Sequence, residues 1–205
     1  MAAALEIKVR LDPRGLRAAE RMLRGIPNGL RRVVPPAINR TLTRTRTFAD
    51  GVLQKEVPVK KSAIRRHTTV FKASRYRFVG SLRYNDHRFA IASFKGVRPT
   101  KKGVTYAGPE GRKLIPRAFI TKGFTHYKTQ QYVENKMVWR RATAGRLPGG
   151  RDLVPRTPLT APKGVSLGYA WTKHPEIRAA VERFGRRLLV REIHTKIYWI
   201  ARKYA

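Results

Sequence analysis

The chain has 205 residues, of which 46 are Lys or Arg and 12 are Asp or Glu, so its formal charge at pH 7 is +34. A compact monomer with that charge repels itself, and nucleic acid, an anionic membrane or acidic protein neighbours would relieve the repulsion. The absence of cysteine excludes disulfides, thiolate zinc sites and a cysteine nucleophile. Hydrophobic residues make up 41% of the sequence, which is enough for a folded core.

The sequence contains no membrane-spanning pattern. No stretch approaches about eighteen uncharged apolar residues, and the apolar run at the N-terminus is too short for a signal peptide. A peripheral membrane protein is a weaker alternative, because the predicted helices carry many cations but have narrow apolar faces without a Trp- or Phe-rich edge. We therefore expect a soluble protein that is made in the cytoplasm and has no membrane partner.

The first elements are a strand and a helix. Apolar and charged residues alternate over Leu5–Arg10, which is the pattern of a short, half-buried strand. Asp12 followed by Pro13 is typical of a helix start, with Asp12 as the N-cap. The pair Pro35 and Pro36 interrupts this region and predicts that the next helix begins there.

Residues 36–66 form the segment around which we expect the rest of the chain to pack. At about 100° per residue, its first part places apolar side chains in one narrow arc and cations on the opposite side. After Pro58, a short basic turn of helix is predicted over residues 60–66. We interpret the arc as the main packing surface and the basic turn as the best candidate for contact with a partner. The arc consists of Ile38, Leu42, Thr45, Ala49, Val52 and Leu53.

The central part of the chain is predicted to form strands. From about Thr69 the period of the pattern changes to two, and Asn85-Asp86 is a turn signal between residues 75–84 and residues 88–97. This predicts a long antiparallel hairpin. Strict alternation favours aromatic side chains that face the core and arginines that face water. Base stacking on the aromatics of residues 75–78 is the alternative.

The C-terminal half contains short strands, an irregular segment and a helix. Further strands are predicted at residues 104–107, 118–121 and 136–141, after a basic loop tip. Residues 145–168 hold four prolines and five glycines, and their apolar content favours an extended arm on a neighbouring surface over disorder. Pro175 opens a final basic helix of about 28 residues.

These elements predict one α+β domain that covers the whole chain. It comprises an N-terminal strand and helices, a central antiparallel sheet with the long hairpin, the arm and the C-terminal helix.

The sequence lacks the patterns that catalysis and cofactor binding require. The five histidines have no metal-ligand spacing, and the twelve acids form no cluster suited to magnesium. No Walker phosphate loop or G-x-S-x-G elbow occurs, and zinc-finger, RNP and KH signatures are missing. We therefore expect no enzymatic activity, no cofactor, no metal and no sequence-specific reading of nucleic acid.

Several short motifs occur in a recognisable order. Ala37-Ile38-Asn39-Arg40 is followed by Val59-Lys60-Lys61 and Ile64-Arg65-Arg66. Ile115-Pro116-Arg117-Ala118-Phe119-Ile120 and Val138-Trp139-Arg140-Arg141 come next, and a proline-containing segment leads to the basic C-terminal helix. This order resembles that of the prophage minor tail protein Z family, the tail completion proteins of long-tailed phages. The hairpin and the arm are longer here than that family leads us to expect.

The resemblance implies a structural virion protein at the head-proximal end of a phage tail, with no catalytic residues. Such a protein would complete the tail tube and help join it to the head, with tail tube, tail terminator and connector subunits as its partners. Tail architecture also suggests a homo-oligomer, and a hexameric ring is the hypothesis. The alternative is a nucleic-acid-binding protein of ribosomal or nucleoid type that binds without sequence preference.

In either case, basic residues would face genomic DNA or acidic neighbours. The residues that we expect in such contacts are Arg40, Arg44, Lys60, Lys61, Arg65, Arg66, Lys101, Lys102, Arg140 and Arg141.

Overall fold

The computed structural model describes residues 5–121, 124–126, 131–133, 137–141 and 159–204. These residues form helices and antiparallel sheets, so the predicted α+β class is confirmed.

The described residues group into two compact units. Unit 1 consists of the described residues within Met1–Lys55, Ile64–His87 and Leu167–Ala205. Unit 2 consists of the described residues within Glu56–Ala63 and Arg88–Ser166. Neither unit is continuous in sequence. The single domain expected from the sequence therefore stays a prediction.

The helices and strands of the described residues, in chain order, have the following bounds. The helices are α1 (Pro13–Met22), α2 (Gly29–Glu56), α3 (Lys61–Arg66), α4 (Leu167–Lys173) and α5 (Pro175–Tyr204), with a 3-10 turn at Ile91–Ser93. The strands are β1 (Leu5–Arg10), β2 (Thr68–Phe71), β3 (Val79–Tyr84), β4 (Arg88–Ala90), β5 (Arg98–Thr100), β6 (Gly103–Gly108), β7 (Gly111–Pro116), β8 (Ala118–Thr121), β9 (Phe124–His126), β10 (Gln131–Val133), β11 (Met137–Arg141), β12 (Leu159–Thr160) and β13 (Lys163–Ser166).

The start of α1 agrees with its sequence signals. Asp12 is the N-cap, and its Oδ1 accepts a hydrogen bond of 3.0 Å from the backbone N–H of Gly15. Pro13 occupies the first helical position, where its missing N–H has no partner to lose. The predicted capped helix is therefore confirmed.

α2 begins seven residues before the predicted position, so the expectation that Pro35 and Pro36 separate two segments is wrong. Both prolines lie inside α2 and cannot donate to the carbonyl groups of Arg31 and Arg32, four residues earlier. Val33, Val34 and Pro35 are buried, and this packing offsets the missing hydrogen bonds. Tertiary contacts thus override a local helix-breaking signal.

The predicted buried arc of α2 is confirmed for five of its six residues, and the sixth, Val52, is half-buried. Ile38, Leu42, Thr45, Ala49 and Leu53 have no exposed surface. Burial of several large aliphatic side chains along one face contributes about 1.5–3 kcal/mol each to the free energy of unfolding before entropy is subtracted. The arc is therefore the main apolar surface of unit 1.

α5 confirms the prediction of a final helix from Pro175. Its 30 residues extend about 45 Å. Against α2, the rings of Phe48 and Phe184 stack with centroids 4.3 Å apart. A methyl group on Gly185 would lie 3.4 Å from Thr45 Oγ1, so the two helices approach closely at this level.

The sheet of unit 1 has the strand order β1-β3-β2, with both pairs antiparallel. The predicted strand over Leu5–Arg10 is confirmed as β1. The predicted long hairpin is wrong, because β3 pairs with β1 and β2, whereas β4 pairs with β13. The period-two pattern identifies strands correctly, but strands that are neighbours in sequence need not pair.

Unit 2 contains short antiparallel sheets around a small aromatic core. Its sheets have the orders β13-β4, β5-β6-β7, β12-β11-β8 and β10-β9. Phe89 and Phe94 are buried with ring centroids 6.3 Å apart, and Tyr106 lies 5.2 Å from Phe94. The predicted strands at residues 104–107, 118–121 and 136–141 correspond to β6, β8 and β11.

Only the last part of the predicted arm lies within the described residues. Residues 145–158 lie outside them. Residues 159–168 form β12, β13 and the start of α4, and β12 and β13 pair with β11 and β4 of the same unit. For these residues the expectation of an arm on a neighbouring surface is wrong, since they pair with their own chain.

A pair of glycine substitutions tests the packing of α2 on the sheet of unit 1. A methyl group on Gly80 of β3 would lie 2.5 Å from Leu42 Cδ1, so Gly80→Ala is expected to lower the free energy of unfolding by about 1–3 kcal/mol. Gly51 is exposed inside α2 with no atom within 4 Å, and Gly51→Ala is expected to raise it by up to about 1 kcal/mol. Urea denaturation of both variants measures the difference. Equal effects of the two substitutions would contradict the close contact.

Candidate nucleic-acid interface

Two of the predicted contact residues, Arg40 and Arg44, pair with a buried carboxylate. Glu192 of α5 is 3% exposed, and its Oε1 accepts a 2.7 Å hydrogen bond from Arg44 Nη1 of α2. Arg40 Nε lies 3.3 Å from Glu192 Oε2. Because a buried carboxylate needs such partners, both arginines have a role in joining α2 to α5. Each is about half exposed, so their contact with DNA stays a prediction.

A second buried carboxylate lies farther along α2. Asp50 has no exposed surface, and Arg65 Nε lies 3.3 Å from its Oδ2. Arg46 Nη2 donates a 3.0 Å hydrogen bond to the backbone oxygen of Arg65. Burial, together with the nearby charge of Asp50, raises the pKa of the Tyr84 hydroxyl above its usual range. Arg65 therefore helps to hold α3 beside α2, through its ion pair with Asp50 and the hydrogen bond that its backbone oxygen accepts.

The other predicted contact residues are spread over the chain. The boundary between the units falls inside α3, so Lys60 and Lys61 belong to unit 2 and Arg65 and Arg66 to unit 1. Lys60 and Arg66 are exposed, and Lys61 is half-buried.

Three predicted residues of unit 2 lie on its strands and turns. Lys101 and Lys102 are exposed in the turn between β5 and β6, as the prediction of a basic loop tip requires. Arg140 is exposed on β11, and the side chain of Arg141 lies outside the described part of the chain. Contact of these residues with DNA or with acidic neighbours stays a prediction.

One basic concavity of unit 1 was not among the predicted sites. A groove between α1 and the start of α2 encloses about 870 Å³, and we call it the α1–α2 groove. Four arginines line it, and Glu20 is its one acidic lining residue. The arginines are Arg17, Arg21, Arg24 and Arg31. All four are exposed, and within the described ranges none forms a salt bridge.

The local sequence explains how the groove forms. Arg17, Arg21 and Arg24 recur at intervals of four and three residues, which places them on one side of α1 and its C-terminal end. The chain then reverses through Gly25 and Asn28, whose φ angles are 90° and 55°. Glycine and asparagine tolerate such left-handed conformations best. The reversal brings the start of α2, with Arg31, to the other side of the groove.

A second concavity adjoins the first through Arg31. It encloses about 360 Å³ between α2 and the segment that precedes β3. Its lining includes three arginines and Asn39. The arginines are Arg31, Arg32 and Arg75. The guanidinium of Arg32 also hydrogen-bonds the hydroxyl of Tyr204 and lies 5.8 Å from the centroid of that ring.

Asn39 fixes the segment that carries Arg75. Its Oδ1 accepts a 2.8 Å hydrogen bond from the backbone N–H of Ala73, and its Nδ2 donates a 3.1 Å bond to the Ala73 carbonyl. This two-way bond ties the segment to α2, as a strand partner would. Asn39 thus has a structural role that an alanine or a serine could not fill.

The segment then makes a tight turn with an aromatic side chain at its tip. Ser74 and Arg77 exchange backbone hydrogen bonds of 3.0 and 3.2 Å, which leaves Arg75 and Tyr76 at the tip. Tyr76 is 90% exposed, and the guanidinium carbon of Arg31 lies 5.9 Å from its ring centroid. The expectation that the aromatics of residues 75–78 face the core is wrong for Tyr76. Strand β3 starts only at Val79, so its alternation does not extend into the turn.

Together these residues form one basic surface on unit 1, which we call the arginine surface. Guanidinium groups bind phosphates through paired hydrogen bonds, and an exposed tyrosine offers a face on which a base can stack. Two signals for this surface were present in the sequence: the regularly spaced arginines before the long amphipathic segment, and the basic and aromatic residues 75–78, for which base stacking was the alternative. The arginine surface comprises Arg17, Arg21, Arg24, Arg31, Arg32, Arg75 and Tyr76.

Other kinds of site have no candidate in the described residues. Among them, no group of three or more His, Asp or Glu is placed to hold a metal ion. No helix in the same part of the chain is long and apolar enough to cross a membrane. Comparison of the chain with models of protein families, with curated proteins and with solved structures finds no match.

The role of Glu192 in joining α2 to α5 can be tested by neutralisation. Glu192→Gln is expected to lower the free energy of unfolding by about 1–3 kcal/mol, because it removes a buried charge-assisted hydrogen bond. Glu182→Gln is the matched control, since Glu182 pairs with the exposed Arg178 and Arg186 of the same helix. Its effect should be about 0.5 kcal/mol or less. Thermal and urea unfolding measure both, and a control effect as large as that of Glu192→Gln would contradict the assignment.

Proposed function

We propose that this chain is a structural subunit of a phage virion, located at the head-proximal end of the tail. In this role it completes the tail tube and helps join it to the head–neck connector. The observation that carries the proposal is the arginine surface, which fits a subunit that works beside DNA. Other tail and neck proteins are the expected protein partners, and self-association into a ring is part of the proposal.

The position of the family-like motif in α2 supports this reading. In Ala37-Ile38-Asn39-Arg40, the first two residues have no exposed surface and belong to the core of unit 1. Asn39 holds the segment before β3, and Arg40 pairs with Glu192 of α5. Each residue of the motif therefore has a physical reason for its identity. A resemblance based on such residues concerns the fold of unit 1 and not only its composition.

The charge distribution supports a polyanion as one partner. Arginine guanidiniums in a groove can each replace a counterion on a phosphodiester backbone, and the release of those counterions favours binding at low salt. Backbone contacts of this kind carry no sequence information. A virion subunit that meets whatever DNA the phage packages requires contact of this kind.

The first test asks whether the arginine surface or the total charge binds DNA. We compare Arg17→Gln/Arg21→Gln/Arg24→Gln/Arg31→Gln with Arg183→Gln/Arg187→Gln/Arg191→Gln/Arg202→Gln, which removes four exposed arginines of α5. Both variants have the same net charge. The first should make the negative slope of log affinity against log salt shallower by about 0.9 for each phosphate that the protein no longer neutralises, whereas the second should change it little. Fluorescence anisotropy with a labelled duplex measures both slopes, and equal reductions would contradict the proposed surface.

The second test concerns the virion itself. In a phage that encodes this chain, deletion of its gene should leave DNA-filled heads and separate tails that do not join, visible by negative-stain electron microscopy. A plasmid copy of the gene should restore joined particles. Infectious particles of normal yield from the deletion would contradict the proposal. Tight binding of the purified chain to one particular RNA, with no binding to tail proteins, would favour the ribosomal or nucleoid alternative.

A further inference from the structure

We propose that the arginine surface has a nucleotide-stacking site at Tyr76 and therefore binds single-stranded DNA in preference to duplex. This inference rests on the proposed function, because it specifies which form of nucleic acid the same surface takes. The observation that carries it is the exposed ring of Tyr76 beside Arg31, the arginine that lines both concavities.

The position of Tyr76 argues for a binding role. An aromatic side chain that is 90% exposed contributes almost no burial to the fold. Yet the turn that carries it is firmly held, by the Ser74–Arg77 backbone pair and by the two hydrogen bonds between Asn39 and Ala73. A rigid turn presents the ring in one place, so a ligand that stacks on it requires little further ordering of the protein.

The cations around Tyr76 define the class of ligand. Arg31 lies against the ring, and Arg75 precedes it at the tip of the same turn. From Arg31 the α1–α2 groove continues to three further arginines. An aromatic ring beside a row of guanidiniums is the arrangement by which proteins bind single strands, with bases on the ring and phosphates on the cations.

Duplex DNA does not offer the same contact. Its base faces are covered by the neighbouring base pairs, and a base reaches an external ring only after unstacking at a cost of a few kcal/mol. Unpaired nucleotides have no such cost. The arginines therefore serve both forms of DNA, while Tyr76 adds affinity only for unpaired bases.

The experiment combines a protein variant with a ligand variant. Labelled oligothymidylate is compared with an abasic oligonucleotide of the same length, which keeps the phosphates and removes the bases, and with a duplex. The full chain should bind oligothymidylate more tightly than the abasic strand. Tyr76→Ala should weaken oligothymidylate binding by about 5- to 150-fold, which is the fold-change expected from stacking energies of about 1–3 kcal/mol per base. Binding of the abasic strand and the duplex should change by less than about two-fold.

Two further variants serve as controls. Tyr76→Phe keeps the ring and should retain full binding of oligothymidylate. Tyr198→Ala removes a tyrosine of α5 that is 61% exposed and lines neither concavity, so it should have no effect. Circular dichroism verifies that each variant is folded, as expected for exposed positions.

The outcomes separate this inference from the proposed function. Equal binding of oligothymidylate and abasic strand by the full chain, or no effect of Tyr76→Ala, would overturn the stacking site. If the four-arginine variant nevertheless fails to bind DNA, only the stacking site is refuted and the proposed function stands. If the four-arginine variant binds every ligand as the parent chain does, the DNA-facing role fails too. Tighter binding of polyglutamate than of oligothymidylate would also overturn the inference, in favour of an acidic protein.

Discussion

The packing of α2 against its neighbours is the constraint on which the rest of unit 1 depends. Its buried arc contacts β3 at Gly80, where an added methyl group would lie 2.5 Å from Leu42 Cδ1, and α5 at Gly185. At both glycines, side chains of α2 occupy the space that a side chain on the sheet or on the last helix would need. The same packing keeps α2 continuous through two prolines, so the residues before Pro35 become part of one rigid helix with those after it.

The contacts of α2 also involve two of the chain's few acids. The chain has 46 cations and only 12 acids, so one-to-one pairing would leave most cations without an acidic partner. Glu192 and Asp50 are buried and each pairs with arginine, so these two acids stabilise contacts between helices and not the surface. The remaining repulsion falls on the exposed arginines, and the α1–α2 groove concentrates four of them. Their repulsion is relieved when an anion binds, so binding and stability are coupled.

Periodicity and capping signals predict the local elements because they act within one helix or strand. The cap at Asp12, the arc from Ile38 to Leu53 and the helix from Pro175 are of this kind. The hairpin prediction failed because strand pairing depends on residues far apart, here β3 with β1. That the residues of the arginine surface come together could not be predicted, for a related reason. Its arginines converge only through the turn at Gly25 and Asn28 and through the bonds of Asn39 to Ala73.

Asn39 links the core to that surface. It lies on α2 between Ile38, which is buried, and Arg40, which is exposed. Its side chain bonds Ala73, just before the turn that carries Tyr76. An amide side chain has both an acceptor oxygen and a donor NH₂ group, so it can bond both backbone groups of Ala73, whereas aspartate would lack the donor. The turn would then keep only one of its two bonds to α2. An uncharged residue therefore fixes the segment that leads into the turn with Arg75 and Tyr76 of the arginine surface.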